Sequence, residues 1–590
     1  MPTLTSIVEP AWQRTHLRVP REDGALLARP ALSEVIDLAR SNSKLLAASA
    51  ATVLNQPLSE FRQQARTELL ALAQQETSSL LAATGWHAQS AAKGVASESI
   101  ATPAARHALP DGQGVPPASS MVGSNSLLIA TGHQPEMFHP GVWIKHLSVG
   151  AIAKQHSAIG LNLVVDNDTL NDTAIRIPIG SRESLSVESV AFDVSRPVQP
   201  WEEASLVDRS LFDSFAERVA KTVSPWGLKP LLSDVWPHVV RCLHTDSNLA
   251  ACLTAARARV EREWGVGNLE LRMSRLCEST SFRRFALHLM RNAERLCRTY
   301  NETVAEYRRI NRIRNASHPM PDLQRVADWI EVPLWIWKAG SSARSRVFVR
   351  EQAGNMSVAD APSSDRVLLE FDASRTEVGL AQLKSLSERG WRVRSRALTT
   401  TCFARLCLCD VFVHGIGGAK YDEIADRLMT RFFQVTAPAF VTLSATALLP
   451  FAPAFESTIA DVRQLKQELR DAQQNASRHL DVPVASTVAA LVAEREVLVR
   501  EQLESDAGRI AAVPPKPNDD SGYCRYRRLR ELTRELANST RARQARLQTE
   551  IARAEQEVAA NKIILSREFS SWLYPADNIR ALLQKAMASS

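Results

Sequence analysis

The densest group of chemically capable side chains in the sequence is Thr131-Gly132-His133-Gln134-Pro135-Glu136-Met137-Phe138-His139-Pro140-Gly141. Its two histidines, with a glutamine and a glutamate between them, can donate hydrogen bonds to an anion or exchange a proton near neutral pH. Gly132 permits a tight exit from a strand, Pro140 suits the first position of a helix, and Gly141 lets a phosphate or carboxylate approach the backbone. His133 and His139 are therefore candidate catalytic residues, and Gly132, Gln134, Pro140 and Gly141 candidate binding residues. The plainer alternative is that the histidines only cap the loop. A metal pair completed by His146 or His414 lacks a partner at a standard ligand spacing, so no metal site is assigned.

A second group is Asp166-Asn167-Asp168-Thr169, followed by Asn171 and Asp172. Asp166 and Asp168 could hold an amine, a sugar hydroxyl or a magnesium ion, or simply form an Asp/Asn-rich turn that bonds its own backbone. The third is His414-Gly415-Ile416-Gly417-Gly418-Ala419-Lys420-Tyr421-Asp422. Gly415, Gly417 and Gly418 let backbone N–H groups turn toward a ligand, and Lys420 could neutralise a phosphate or carboxylate, with Tyr421 and Asp422 closing the turn. It is neither a Walker loop nor a dinucleotide fingerprint.

These groups need elements that bring them together. From 126 the pattern reads strand (SLLIAT), loop, helix (GVWIKHLSVGAIAKQH) and buried strand (LNLVVD), a βαβ unit. Downstream, RVLLEFD, the helical TEVGLAQLKSLSERG, DVFVHG, the glycine turn, YDEIADRLMTRFF and FVTLS suggest further alternating elements. The expected fold is α/β: a split, doubly wound parallel sheet whose ligands sit outside the carboxyl ends of the strands. The expected organisation is an N-terminal helical region ending in a Pro/Gly/Ser-rich linker (1–125), a first core half (126–184), a mainly helical insertion (185–325), a second core half (326–450) and a C-terminal helical, coiled-coil region (451–590). The run Glu331-Val332-Pro333-Leu334-Trp335-Ile336-Trp337 reads as a packed sheet face.

At 590 residues, 45% hydrophobic and 23% charged, the chain has the composition of a globular protein of several structural units. No signal-peptide run or membrane-spanning apolar stretch stands out, and its eight cysteines form no framework, so a cytoplasmic location without membrane contact is expected. The net charge of +7 is spread along the chain among both signs, which argues against nucleic acid as partner. Even the Arg-rich stretch 524–548 has the spacing of a solvated coiled-coil face, and points to a homodimer built through it.

In their order along the chain, SLLIATGHQPEMFHPGVWIKH, VVDNDTLND, HGIGGAKYDEIAD and REFSSWLYPADNIR resemble the bacillithiol biosynthesis cysteine-adding enzymes. The resemblance implies a split Rossmann-like core with a nucleotide pocket (ATP or ADP, with Mg²⁺ left open), a C-terminal coiled coil, and formation of an amide between the carboxyl of cysteine and an amine acceptor, a small anionic substrate. By position, Gly132, His133, Gln134, His139, Pro140 and Gly141 would form the nucleotide or catalytic loop, Asp166 and Asp168 would face substrate, and Gly415 to Asp422 would close the pocket. His133-Gln134 and His139-Pro140-Gly141 depart from that family toward the HxGH signature of class I aminoacyl-tRNA synthetases, with Val142 in place of its last histidine and no KMSKS-like loop. The alternative is a non-catalytic metabolite-binding protein that assembles through its coiled coil.

Overall fold

The computed structural model describes residues 12, 17–86, 126–480, 485–506 and 520–588; the expected linker before 126 lies outside them. It is a mixed α/β protein with eighteen α-helices among the described residues. The chain divides into two compact units, residues 1–177, 188–450 and 567–590 in the first and 178–187 with 451–566 in the second. The last segment of the expected C-terminal region thus belongs to the first unit.

In chain order, the elements of the first unit that matter here are β1 (Leu26–Arg29), α1 (Val35–Ala47), α2 (Leu58–Ala83), β2 (Leu128–His133), α3 (Pro140–Gln155), β3 (Ile159–Val164), α4 (Leu249–Glu263), β4 (Leu269–Arg272) and α5 (Thr280–Arg291). They continue with β5 (Trp329–Lys338), β6 (Ser345–Gln352), β7 (Asn355–Ala359), β8 (Val367–Asp372), β9 (Trp391–Ser395), β10 (Val411–His414), α6 (Ile416–Arg431) and β11 (Val441–Ala445).

The principal sheet runs β1-β11-β10-β2-β3-β4. Every pair in it is parallel except β1 with β11. Two of its strands lie where the sequence pattern gave none. β1 falls in the expected N-terminal helical region, and β4 in the expected helical insertion. A four-residue strand at a sheet edge carries too little periodicity to stand out from its surroundings. Leu128 and Ala130 of β2 share a face of the sheet. They enter one core with Leu161 and Leu163 of β3, Phe61 and Leu69 of α2, Phe282 and Phe285 of α5, and Leu428 of α6.

The segment 366–395 corrects the expected architecture. β8 pairs antiparallel with β7, and β9 antiparallel with β5, in a second sheet ordered β9-β5-β6-β7-β8. Alternating strand and helix is a pattern that an antiparallel sheet with one crossing helix reproduces locally, so periodicity alone did not assign the partner. Trp335, on a bulged stretch of β5, lies beneath the Arg344 and Arg396 guanidiniums, 4.8 and 4.7 Å from its ring centre.

The second unit is helical: α7 (Ile459–Gln474) packs on α10 (Arg541–Ile564), and α8 (Ser486–Asp506) on α9 (Asp520–Ser539). Leu532, Leu536, Leu547 and Ile551 are buried there, while α8 contributes no buried side chain among its described ones. Cross-helix ion pairs join Lys466 to Glu555 (2.6 Å) and Arg528 to Glu494 (2.7 Å). No helix among the described residues is long and apolar enough to cross a membrane.

Candidate functional site

Strand order reverses between β2 and β10. From β2 the chain moves outward to β3 and β4, then returns to the other side for β10 and β11. Open α/β sheets bind ligands at such a reversal, because the loops leaving the two central strands diverge there and open a crevice. Val413 lies opposite Thr131 in the register, so His133 and the glycine turn after His414 emerge at the same edge. Thr131 Oγ1 donates to Val413 O at 2.8 Å, fixing that alignment from within the sheet. Segments more than 270 residues apart in sequence, 132–141 and 414–418, therefore meet.

Helix α3 begins at Pro140, and twelve of its sixteen residues are buried, the polar Lys145, His146 and Ser148 among them. Its start is built from the predicted loop. His139 is the N-cap, its Nδ1 accepting from Gly141 N at 3.1 Å. Gly141 is required by close packing, since a β-carbon would lie 2.5 Å from Ala445 O and collide with the Arg567 guanidinium. Burial lowers the His139 pKa to about 4, only partly opposed by Glu568, whose carboxylate is 3.8 Å from Nε2. His139 is thus neutral at neutral pH, with one nitrogen committed to the cap. The expected anion-facing role of His139, Pro140 and Gly141 gives way here to helix initiation.

His133 ends β2, packed edge-on against Phe138 at 5.4 Å. Burial, with the nearby charge of Lys145, holds its pKa well below the usual range, so it too is neutral. With Nδ1 directed to Gln134 O at 3.3 Å, Nε2 is its basic nitrogen. A cavity of about 10 Å³, room for a single water, lies beneath the loop between His133, His146, Thr254 and Arg257. Among the described residues neither His146 nitrogen nor the Thr254 hydroxyl makes a hydrogen bond, the Glu261 carboxylate standing 3.7 Å from His146 Nδ1.

The two aspartates separate. Gln134 Nε2 donates to Asp168 Oδ2 at 2.9 Å, and Arg344 approaches the other oxygen at 3.3 Å, so Asp168 joins the loop to the second sheet. Asp166 is fully buried and turned toward β4, where it accepts from Ser274 N at 2.8 Å. It caps the chain after β4 rather than facing the loop. Among the described residues no three His, Cys, Asp or Glu side chains gather into a metal site.

The glycine turn also divides. Gly415 is the N-cap of α6 with no side-chain cap, and Gly417 has open space around it. Asp422 is buried on the inner side of the helix, paired with Arg405 and 3.0 Å from His414 Nε2. Lys420 and Tyr421 line a different, open cleft of about 530 Å³ with Arg18, Arg312 and His318. Tyr421 stacks edge-on to His318 at 5.9 Å. Of the predicted turn residues, the glycines stay at the strand end, as the N-cap and first turn of α6.

The residue that sequence reasoning missed is Lys145. It is 3% exposed and projects from α3 between the two loops, its Nζ donating to Gly132 O at 3.2 Å. A β-carbon at Gly415 would lie 3.9 Å from the same Nζ. Burial lowers its pKa to about 8, and no carboxylate offsets that cost. A lysine inside the apolar run GVWIKHLSVGAIA was the available signal. The terminal REFSSWLYPAD motif packs at this edge as well: Ser571 donates to Phe138 O through both its backbone N–H (2.8 Å) and its hydroxyl (2.7 Å), and Tyr574 OH donates to Ala447 O at 2.8 Å.

Compared with known proteins, the chain matches no family model and no curated protein.

Proposed function

We propose that the chain is a ligase-like enzyme, a divergent relative of the bacillithiol biosynthesis cysteine-adding enzymes, that joins the carboxyl of cysteine to an amine acceptor. The observation that supports this best is the reversal of strand order between β2 and β10, which sets the 132–141 loop and the 415–418 turn across one crevice. On this reading the parallel strands are a split Rossmann-like core, the second unit is a coiled-coil arm through which two copies pair, and the protein works in the cytoplasm. The exposed Val497, Leu503, Tyr523 and Tyr526 on α8 and α9 favour such pairing.

Amide formation requires that an amine attack the carboxyl carbon, lose a proton and expel an oxygen leaving group. Neutral His133, through Nε2, is suited to take the proton, and Lys145 with the α6 N-terminus to offset negative charge on the oxygen side. Asp168, held by Gln134, is placed to orient the amine. The cationic side of the crevice fits the phosphates of ATP or ADP, the nucleotide that would supply activation. For Mg²⁺ the loop offers Glu136 and Asp168, close enough that Asp168 adds to burial in raising the Glu136 pKa, while Asp166 is committed to Ser274.

The test is mass spectrometry of the purified chain incubated with cysteine, a glucosaminyl-malate acceptor and a panel of other amines, with and without Mg-ATP. A cysteine amide is expected from the unmodified protein, reduced about 100-fold or more in a folded His133→Ala variant. Absence of any amide from a folded protein under every condition would sink the reading and favour a metabolite-binding role.

A further inference from the structure

Lys145 and the start of α6 pose an electrostatic conflict that the chain does not resolve by itself. A buried ammonium is stable when a carboxylate neutralises it or several acceptors replace its hydration. Lys145 has one carbonyl, Gly132 O at 3.2 Å, for three donors, and among the described residues no carboxylate within ion-pair distance. It sits instead against Gly415, at the N-terminus of a sixteen-residue helix. That end carries the positive pole of the helix and unpaired N–H groups, here without a side-chain cap. Two positive features thus face each other, and the lysine is withdrawn from water. The titratable neighbours that feel Lys145 are His133, His139 and His146, all held neutral by burial; a histidine is neutral or positive in either state, so none supplies the missing negative charge.

Gly417 and Gly418 are exposed on the first turn of α6, and nothing lies within 4 Å of a β-carbon placed at Gly417. Lys145, nine-tenths buried and more, approaches the start of the same helix from α3, its Nζ 3.9 Å from a β-carbon placed at Gly415. We propose that Lys145 Nζ and the backbone N–H groups at the start of α6 form a binding site for one terminal oxyanion group, a phosphate or a carboxylate, of a small-molecule ligand. This rests on the crevice identified above and deepens it: it names where the anionic end of the ligand seats and which groups hold it. Three backbone donors and an ammonium suit a group with several equivalent oxygens.

Direct binding tests this without reference to any product, so it can fail while ligase activity stands, and the reverse. Calorimetric titrations of the full chain would use inorganic pyrophosphate in one arm and malonate in the other. Saturable binding of pyrophosphate points to a phosphate source, and of malonate to a carboxylate source. Lys145→Met is expected to weaken the binding about tenfold or more. On the unmodified chain, binding above pH 8 should take up a proton, because the anion re-protonates Lys145; titrations in two buffers of different ionisation enthalpy read that proton. This second measurement holds even where the variant does not fold. Binding of neither probe, binding unchanged by Lys145→Met, or binding without proton uptake would overturn the proposal.

Discussion

Lys145 and Arg405 are two buried cations within the first unit, and their surroundings are opposite. Arg405 is 2% exposed and pairs with Asp422 and with Asp426 (2.6 Å), while donating also to Pro438 O. Burial alone would lower its pKa, yet the carboxylates of Asp426 and Asp422 outweigh burial and raise it. Lys145, equally enclosed, has a carbonyl and a helix N-terminus for company, and burial acts on it unopposed. Charge inside a protein with its counter-charge beside it is structural. Charge inside without one is poised for something the chain does not contain.

The contrast breaks most visibly at the paired site. Arg405→Ala would leave the buried Asp422, beside His414 and the partly exposed Asp426, without its cation, and removing one partner of a buried pair costs roughly 3–5 kcal/mol. Urea unfolding should show a midpoint lowered accordingly. A loss below about 1 kcal/mol would mean that the Arg405 cluster is solvated and that the comparison fails at its better-defined end.

Lys145→Met should move stability the other way. With a folded pKa of about 8 against an ordinary 10.5, the folded protein holds the proton less tightly than the unfolded chain does. Below pH 8 both states are protonated and the full penalty applies, on the order of 3 kcal/mol at 1.36 kcal/mol per unit. Between pH 8 and 10.5 the unfolded chain binds the extra proton, so this group makes stability rise with pH, and above 10.5 its contribution is gone. The variant should therefore melt higher than the parent at pH 7, with the gap closing as pH rises toward 10.5. A variant that melts lower at pH 7 would assign Lys145 a structural role like that of Arg405.

The sequence carried the local half of this site. The loop 132–141, the acidic turn and the glycine turn were legible because Gly, Pro, His and Asp have few reasons to cluster after an apolar run. That two of them meet was legible only as an expectation of strand order, which depends on long-range pairing. Position within an element decided the remainder. His139 reads as chemistry by type, but directly before Pro140 it is a cap, and Asp166 and Asp422 point inward because each follows or sits among buried neighbours. Lys145 was hidden for the opposite reason, since long amphipathic side chains commonly carry their charge to water, and only the burial of α3 on nearly all sides denies that route. The second sheet escaped notice because β8 and β9 flank a helix in the same way as parallel strands do.

The smallest expected effects discriminate between glycines of the two loops. Gly141→Ala drives a methyl onto Ala445 O and the Arg567 guanidinium, and overpacking against backbone costs about 1–3 kcal/mol. Gly417→Ala meets nothing within 4 Å and replaces glycine by a better helix former, which should add about 0.5–1 kcal/mol. The thermal midpoints of the two variants should thus move in opposite directions. If Gly417 exists to let an anion approach the start of α6, the more stable Gly417→Ala protein will bind pyrophosphate or malonate less well, because its methyl occupies the ligand's side of the turn. Gain of stability with loss of binding is the signature of a position kept for a ligand; gain of both would make Gly417 incidental and leave Lys145 to hold the anion with the remaining amides.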